Sequence, residues 1–243
     1  MTDQAVEVAI VMPVYNEEGA IEKVVKDWIH ALDGLGMPFE IHAYNDGSKD
    51  ATAKILGTLA AADARVCVHN RENSGHGPTI LTGYRENSDK PWIFQVDSDD
   101  EMKPDRFAEL WRARADHDLL VGERARNDQP LARQVISAIS RATIRGLFGD
   151  AVHDVNAPYR LMRTAAFARV FEAIPADTFA PNILISGAAS ILGLRVHRIE
   201  VLQQPRQTGE VSIKKWKLLA AAIRAFWQTI RARGRIRGLR TAE

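Results

Sequence analysis

The feature that most constrains this chain is a repeated exchange, through its first half, between short β-rich apolar runs and longer amphipathic stretches. Val8-Ala9-Ile10-Val11-Met12 is apolar without alternation, the pattern of a strand buried on both faces, and Pro13 stops it. Val24, Val25, Trp28 and Leu32 then recur at helical spacing before Gly34-Leu35-Gly36. Asn16 is placed to cap that helix, with Glu17 and Glu18 favouring its positive end. The same exchange predicts further strands over 39–44, 66–69, 92–96 and 119–122. It predicts helices over 50–62, over 78–86 and from Pro104 onward. Proline suits a first helical turn, where the amide it lacks has no intrahelical partner in any case. Alternation at this spacing predicts an α/β fold, with a mostly parallel central sheet flanked by helices.

Sheets of this kind bind ligands in the crevice beyond the carboxyl ends of their strands. Three polar clusters fall there: Tyr15-Asn16-Glu17, Asn45-Asp46-Gly47-Ser48 and Asp97-Ser98-Asp99. Asn-Asp-Gly is also a strong hairpin signal, but a helix rather than a paired strand is expected after it. A carboxylate fixed at that strand end is placed to accept hydrogen bonds from a nucleobase or ribose. Asp97 and Asp99 can turn toward one point as the backbone leaves the sheet. Such oxygen ligands suit Mg2+ or Mn2+, which commonly bridges substrate phosphates and makes a departing diphosphate a better leaving group. The plain alternative is a solvated acidic turn before Pro104. A calcium EF-hand loop is disfavoured, because the glycine it needs at its sixth position is Met102. Asn73-Ser74-Gly75-His76-Gly77 reads as a flexible loop with His76 as an ordinary loop histidine.

The second half is less regular. Helices are expected over 131–148, over 164–173 with Thr164 as cap, and over 182–192, with strands over 159–162 and 196–202. Polar residues over 203–208 separate a body, residues 1–205, from a tail, residues 206–243. The net charge of +1 hides an asymmetry, since nine basic and no acidic residues lie between Lys214 and Arg240. Within the tail Trp216, Leu219, Ile223, Phe226, Trp227 and Ile230 recur at helical spacing among those cations. A basic amphipathic helix with tryptophans reads as a membrane-surface element. The competing reading packs the stripe on the protein's own core, on a membrane protein partner or on a second copy in a homo-oligomer. No nucleic-acid partner is expected, because no recognised binding module accompanies the charge. No apolar run approaches the roughly 20 residues that span a bilayer. Met1-Thr2-Asp3-Gln4 has no leader pattern, and the single cysteine, Cys67, reads as a small core residue in a reducing compartment.

Taken together, the motifs resemble glycosyltransferase family 2, the inverting family with the GT-A fold. The resemblance rests on Pro13-Val14-Tyr15-Asn16-Glu17, Asn45-Asp46-Gly47-Ser48, the glycine-rich stretch with Asn73, Gly75, Gly77 and Gly83, and Val96-Asp97-Ser98-Asp99, in that order and spacing. Gly122-Glu123-Arg124, Arg133 with Ser137, the run Asp154-Val155-Asn156-Ala157-Pro158-Tyr159-Arg160, and Arg206 with Gly209, Ser212 and Lys214 look like the polyprenyl-phosphate branch, which includes dolichyl-phosphate mannose synthases. The resemblance covers roughly residues 6–215. It implies that Pro13, Tyr15, Glu17, Asn45 and Asp46 line a nucleoside pocket, with Asp97 and Ser98 at the nucleotide as well. Asp97, Asp99 and Glu101 would hold the metal and diphosphate. Arg124, Arg133 and Arg206 would face phosphates, including that of a lipid-phosphate acceptor, and Asp154 would stand near the acceptor. There are departures: two acidic residues are usual where this chain has Asn45-Asp46, Gly-Phe-Arg appears as Pro158-Tyr159-Arg160, and the Gln-x-x-Arg-Trp signature of processive synthases is absent.

The function expected on this resemblance is transfer, with inversion, of a hexose-like sugar from a UDP- or GDP-sugar to a polyprenyl phosphate at the cytoplasmic membrane face. A phosphate acceptor is ionised near neutral pH and needs only positioning, which Arg124, Arg133, Arg160 and Arg206 can supply. A hydroxyl acceptor, on a saccharide or glycolipid, would need a general base, for which Asp154 is the first candidate. A sugar-phosphate nucleotidyltransferase is the third reading; it usually carries a glycine-rich signature with a lysine near the first strand, which residues 13–17 lack.

Overall fold

A computed structural model of the chain describes residues 5–124, 156–204, 228, 230–231 and 234–239. The strands are β1 (Val8–Val14), β2 (Phe39–Asp46), β3 (Val66–Arg71), β4 (Trp92–Gln95), β5 (Leu119–Arg124), β6 (Arg160–Arg163) and β7 (Val196–Val201). The helices are α1 (Ile21–Asp33), α2 (Thr52–Ala62), α3 (His76–Glu86), α4 (Phe107–Ala113), α5 (Thr164–Ala173) and α6 (Pro181–Ile191). The strands form one sheet in the order β3-β2-β1-β4-β6-β5-β7. Pairing is parallel except at β6, which runs antiparallel to both β4 and β5. The mostly parallel α/β sheet expected from the alternation is therefore present.

The strands at its centre are apolar on both faces because both faces are covered. Val8, Ile10, Met12 and Val14 of β1 face a cluster with Val24, Val25, Trp28 and Leu32 of α1, Leu56 of α2 and Phe107 of α4. Trp28 organises this layer, with ring centroids 5.2 Å from Phe94, 5.8 Å from Phe107 and 6.0 Å from Tyr159. Val11 points the other way, into a second cluster with Ile80 and Leu81 of α3, Phe167 and Phe171 of α5, and Leu184 and Ile185 of α6. Gly83 lets α3 lie close on this face: a Cβ there would come 2.4 Å from Val11 Cγ1.

Several local expectations are corrected. Asn16 does not cap α1, which begins at Ile21; Asn16 sits at φ 54° and its Oδ1 accepts a hydrogen bond from Lys49 N of the neighbouring loop. Thr164 does not cap α5 either. Its hydroxyl is buried without a hydrogen-bond partner among the described residues, and Arg163 occupies the cap position. Helix α3 starts at His76 rather than at residue 78, and Pro104 opens a short 3-10 turn (Pro104–Arg106) that leads into α4. The hairpin alternative at Asn45-Asp46-Gly47-Ser48 is removed, since β2 pairs in parallel with β1 and β3 and α2 follows the turn. The helix expected over 131–148 lies outside the described residues.

Parts of the tail return to the body. Ile236 is fully buried in the second cluster and Leu239 packs against it. Gln228 accepts a hydrogen bond from Phe179 N at 2.9 Å and donates one to the Asp177 carbonyl at 3.1 Å. Ile230, from the stripe expected to face a membrane, is exposed; Trp216, Leu219, Ile223, Phe226 and Trp227 lie outside the described residues, as does the boundary at 205–206. Among the described residues no helix is long and apolar enough to cross a membrane.

Candidate active site

The first two polar clusters meet because β1 and β2 are adjacent and parallel, so their exit loops leave the same sheet edge side by side. The loops are clipped together by backbone-to-side-chain bonds. Asn16 N donates to Ser48 Oγ at 3.0 Å, Glu17 N to Thr52 Oγ1 at 2.8 Å and Glu18 N to Asp50 Oδ2 at 3.2 Å, while Glu18 Oε2 accepts from Ala51 N. Asn45 braces the same turn, accepting from Ser48 N and donating to Asn70 Oδ1. Pro13 and Glu17 are buried and Tyr15 is half-buried, on the rim of the same edge.

Asp46 closes the loop after β3. Its Oδ1 accepts from Ser74 N at 2.7 Å and its Oδ2 from Gly75 N at 2.9 Å, while Asn73 Nδ2 donates to its carbonyl. Gly47 makes this fit possible: it has φ 71°, and a Cβ there would sit 2.8 Å from Asn73 N. The carboxylate expected to receive a nucleobase or ribose thus also holds the glycine-rich loop, whose end is the start of α3.

The acidic cluster sits at the end of β4. Ser98 Oγ donates to the Pro13 carbonyl at 2.8 Å, tying the cluster to the β1 exit loop. Asp97 Oδ1 accepts from Gln95 Nε2 at 2.9 Å and lies 3.3 Å from His76 Nε2. Asp99 Oδ1 accepts from Glu101 N. Asp100, at φ 61°, turns the chain back and is paired with Lys103 at 2.5 Å and Lys23 at 3.4 Å, away from its two neighbours. Glu101 lies against Gln203, whose amide donates to its carboxylate, and its carbonyl accepts from Gln204 N at 2.8 Å. Burial raises the Asp97 carboxyl to about 6; His76 and Arg124 pull it down, and Asp99 and Glu101 push it up. These groups, drawn from α3, β4 and β5, thus share one electrostatic environment.

The donor set fits a hard divalent cation. It offers carboxylate oxygens and no thiolate, and a partly dehydrated carboxylate beside a second carboxylate gains most from a nearby positive charge. Among the described residues no group of three or more metal-ligating side chains is assembled.

Of the other arginines, Arg124 ends β5 beside the cluster, while Arg133, Arg206 and Asp154 lie outside the described residues. Arg160 is corrected: it is fully buried, and its guanidinium donates to the Ala157 carbonyl at 2.7 and 2.9 Å and to the Asn182 carbonyl at 3.2 Å. It orders the chain around Ala157 rather than presenting itself to a phosphate. His76 was the residue underrated from sequence. Nothing local marked it, since the helix was expected from residue 78, and only the fold carries His76 to within 3.3 Å of Asp97. Gln95 gave no signal, reading simply as a polar residue at a strand end.

The seven-stranded, mostly parallel sheet with the acidic pair just past β4 has the GT-A fold of nucleotide-diphospho-sugar transferases, as the structures below show. The family model described as glycosyl transferase family 2 matches residues 9–171, and the chain belongs to that family. Among curated relatives it is 29% identical over 215 residues to the undecaprenyl-phosphate 4-deoxy-4-formamido-L-arabinose transferase of Pseudomonas aeruginosa, covering 87% of this chain and 62% of that protein. The protein of the same name from Pectobacterium atrosepticum is 26% identical over 223 residues, covering 90% and 66%. The chain thus spans less than two thirds of the length of these relatives. Among solved structures, glucosyl-3-phosphoglycerate synthase from Mycobacterium tuberculosis in complex with Mn2+, uridine-diphosphate and phosphoglyceric acid superposes with a TM-score of 0.68 at 16% identity, covering 93% of this chain and 78% of that one. The same enzyme with phosphoglyceric acid alone gives a TM-score of 0.64 at 18% identity, covering 93% and 80%.

Proposed function

We propose that this chain transfers a sugar, with inversion, from a nucleotide diphosphate sugar to a polyprenyl phosphate, using a divalent cation held by Asp97 and Asp99. The observation that carries this reading is the convergence of Asp97, Asp99, His76 and Arg124 at the carboxyl ends of β4 and β5, beside the clipped loops that follow β1 and β2. Mn2+ and uridine-diphosphate in a protein of the same fold support the metal and the diphosphate. The undecaprenyl-phosphate named for the curated relatives supports the acceptor.

In this reading the β1 and β2 exit loops, with Pro13, Tyr15, Glu17, Asn45 and Asp46, seat the nucleoside. Asp46 also keeps the Ser74-Gly75 loop in place beneath it. Asp97, Asp99 and, at its edge, Glu101 would hold Mg2+ or Mn2+. When bound, the cation neutralises charge on the departing diphosphate. Arg124 sits on the same side and orients phosphate oxygens by charge-assisted hydrogen bonds. An acceptor phosphate oxygen attacks the anomeric carbon from the face opposite the diphosphate. The carbon–oxygen bond to the diphosphate breaks as the new one forms, and the electron pair leaves with the diphosphate. No proton need be removed from an ionised phosphate, so the site's task is positioning and charge stabilisation. Arg133, Arg206 and Asp154 are proposed around the acceptor by resemblance. The tail is proposed to bring the body to a cytoplasmic membrane surface; Ile230 of the tail and Phe179 of the body are exposed apolar side chains.

The test is a panel of UDP- and GDP-sugars offered with undecaprenyl phosphate, or with hydroxyl acceptors, in the presence of Mn2+. A sugar-phospholipid product from one donor is the expected result. Glycosylation of hydroxyl acceptors alone would refute the phosphate-acceptor reading and make Asp154 the candidate base.

A further inference from the structure

We infer that Asn182 and Tyr84 are positioning residues that act through Gln95 to fix which oxygen of Asp97 is presented to the ligand. The inference rests on the metal and diphosphate role proposed for Asp97. Gln95 ends β4 with its carboxamide fully buried, and its Nε2 donates to Asp97 Oδ1 at 2.9 Å. A carboxamide has a donor end and an acceptor end, and turning it over would set a carbonyl oxygen against the carboxylate. Something must therefore fix its direction.

Asn182, in the first turn of α6, does so: its Nδ2 donates to Gln95 Oε1 at 3.0 Å. The direction of Asn182 is fixed in turn by the hydroxyl of Tyr84 on α3, which donates to Asn182 Oδ1 at 2.9 Å. That hydroxyl carries one proton, so the 3.5 Å approach to Gln95 Oε1 is secondary. Burial holds the phenol proton in place far above the ordinary range, so the start of the chain stays a donor. Arg160 holds the backbone of Asn182 through its carbonyl at 3.2 Å. The result is a one-way sequence of hydrogen bonds, Tyr84 to Asn182 to Gln95 to Asp97. It joins residues as far apart in sequence as 84 and 182, and all of its members but the last are at least 97% buried. A complete buried polar network specifies geometry, whereas an incomplete one is costly. With His76 also on Oδ1, both contacts fall on one oxygen. Among the described residues Oδ2 accepts no hydrogen bond, which leaves it for the cation.

The test is Mn2+ binding to the full chain in the presence of UDP, read from the free-ion electron paramagnetic resonance signal. Asn182→Asp keeps the shape but replaces the donor facing Gln95 with an acceptor; it is expected to weaken Mn2+ binding about tenfold, within the range for groups that orient a metal ligand. Tyr84→Phe should weaken it in the same direction by less, and carries the test if Asn182→Asp does not fold. A second readout needs no metal: the Gln95 side-chain NH2 protons should exchange slowly with water in the wild type and fast in Asn182→Asp. Wild-type Mn2+ affinity in both variants, or a freely exchanging Gln95 amide in the wild type, would overturn the inference. If the wild type binds no Mn2+ while Gln95 protection is present and lost on substitution, the metal reading falls and the positioning role stands.

Discussion

Replacing Gly77 with alanine probes how tightly the α5–α6 connection is locked onto the candidate site. A Cβ at Gly77 would lie 2.2 Å from the carbonyl oxygen of Phe179 and 2.4 Å from that of Thr178. Both are backbone atoms and cannot swing aside like a side-chain tip. The segment is also pinned, with Thr178 N bonded to the Pro175 carbonyl and Gln228 bonded to Phe179 N and the Asp177 carbonyl. Opening the contact to a tolerable distance needs on the order of 1 Å of relative motion, an overpacking step costing about 1–3 kcal/mol. At roughly 2–4 °C per kcal/mol for a chain of this size, Tm should fall by about 2–12 °C in scanning calorimetry. The motion also reaches the site, because Gly77 follows His76, which stands 3.3 Å from Asp97. Binding of Mn2+ with UDP should weaken in the same variant. Gly57→Ala is the contrast, since Gly57 lies on the exposed face of α2 and the added Cβ meets nothing within 4 Å. It should leave Tm unchanged or raise it by up to about 4 °C, the shift that roughly 1 kcal/mol of added stability gives. A Gly77→Ala protein as stable as the wild type, with unaltered Mn2+ binding, would refute the reasoning.

Three further outcomes are expected. Arg160→Met should destabilise the fold by about 2–4 kcal/mol in urea titrations, because it leaves the buried Ala157 and Asn182 carbonyls without their donors; a loss below about 1 kcal/mol would contradict the burial argument. His42 and His69, 3.1 Å apart between Nδ1 and Nε2, both have imidazolium forms disfavoured chiefly by burial, with Glu40 opposing this at His42 and Glu86 at His69. Their folded pKa values lie below the unfolded value, so the stability they contribute is complete above about pH 6.5 and is lost as pH falls below it. Asp97, raised to about 6, acts in the opposite sense, since its protonation favours the folded state. The histidine contribution is therefore read as the difference between wild type and His42→Asn: the wild type should lose more stability than the variant as pH falls from about 7.5 through 6.5 and below, and parallel curves would count against it. Finally, Gln228→Ala frees the Asp177 carbonyl and Phe179 amide, and hydrogen exchange should speed up at Phe179 while remaining unchanged at Ile10 in β1.

Much of the fold was legible because the periodicities are local. The continuous apolar run at 8–12 and the helical stripe of Val24, Val25, Trp28 and Leu32 each announce burial without reference to the rest of the chain. Pairing order is not local: nothing in residues 160–163 states that they enter the sheet antiparallel between β4 and β5. Asn16 shows how tertiary structure overrides a local rule, since an oxygen suited to capping α1 is taken instead by Lys49 N on the adjacent loop. The acidic pair was legible as a candidate because its carboxylates are neighbours in sequence at a strand end. His76 was not, because its partner Asp97 is 21 residues away and only the fold, which lays α3 against β1 and β2, brings them together. Arg160 misled for a related reason: in sequence it reads as one of the arginines that position an acceptor phosphate, whereas the fold buries it, on the nearby Ala157 carbonyl and on the Asn182 carbonyl brought in by α6.

The most direct test of the central claim is product formation by the wild type and by Asp99→Ala, with a matched nucleotide sugar and undecaprenyl phosphate, in Mn2+ and in excess EDTA. The account predicts a sugar-phospholipid and stoichiometric nucleoside diphosphate from the wild type only with Mn2+, and at least a hundredfold loss in Asp99→Ala, the order seen when a single group stabilising developing charge is removed. Equal turnover in EDTA, or an Asp99→Ala protein as active as the wild type, would contradict it.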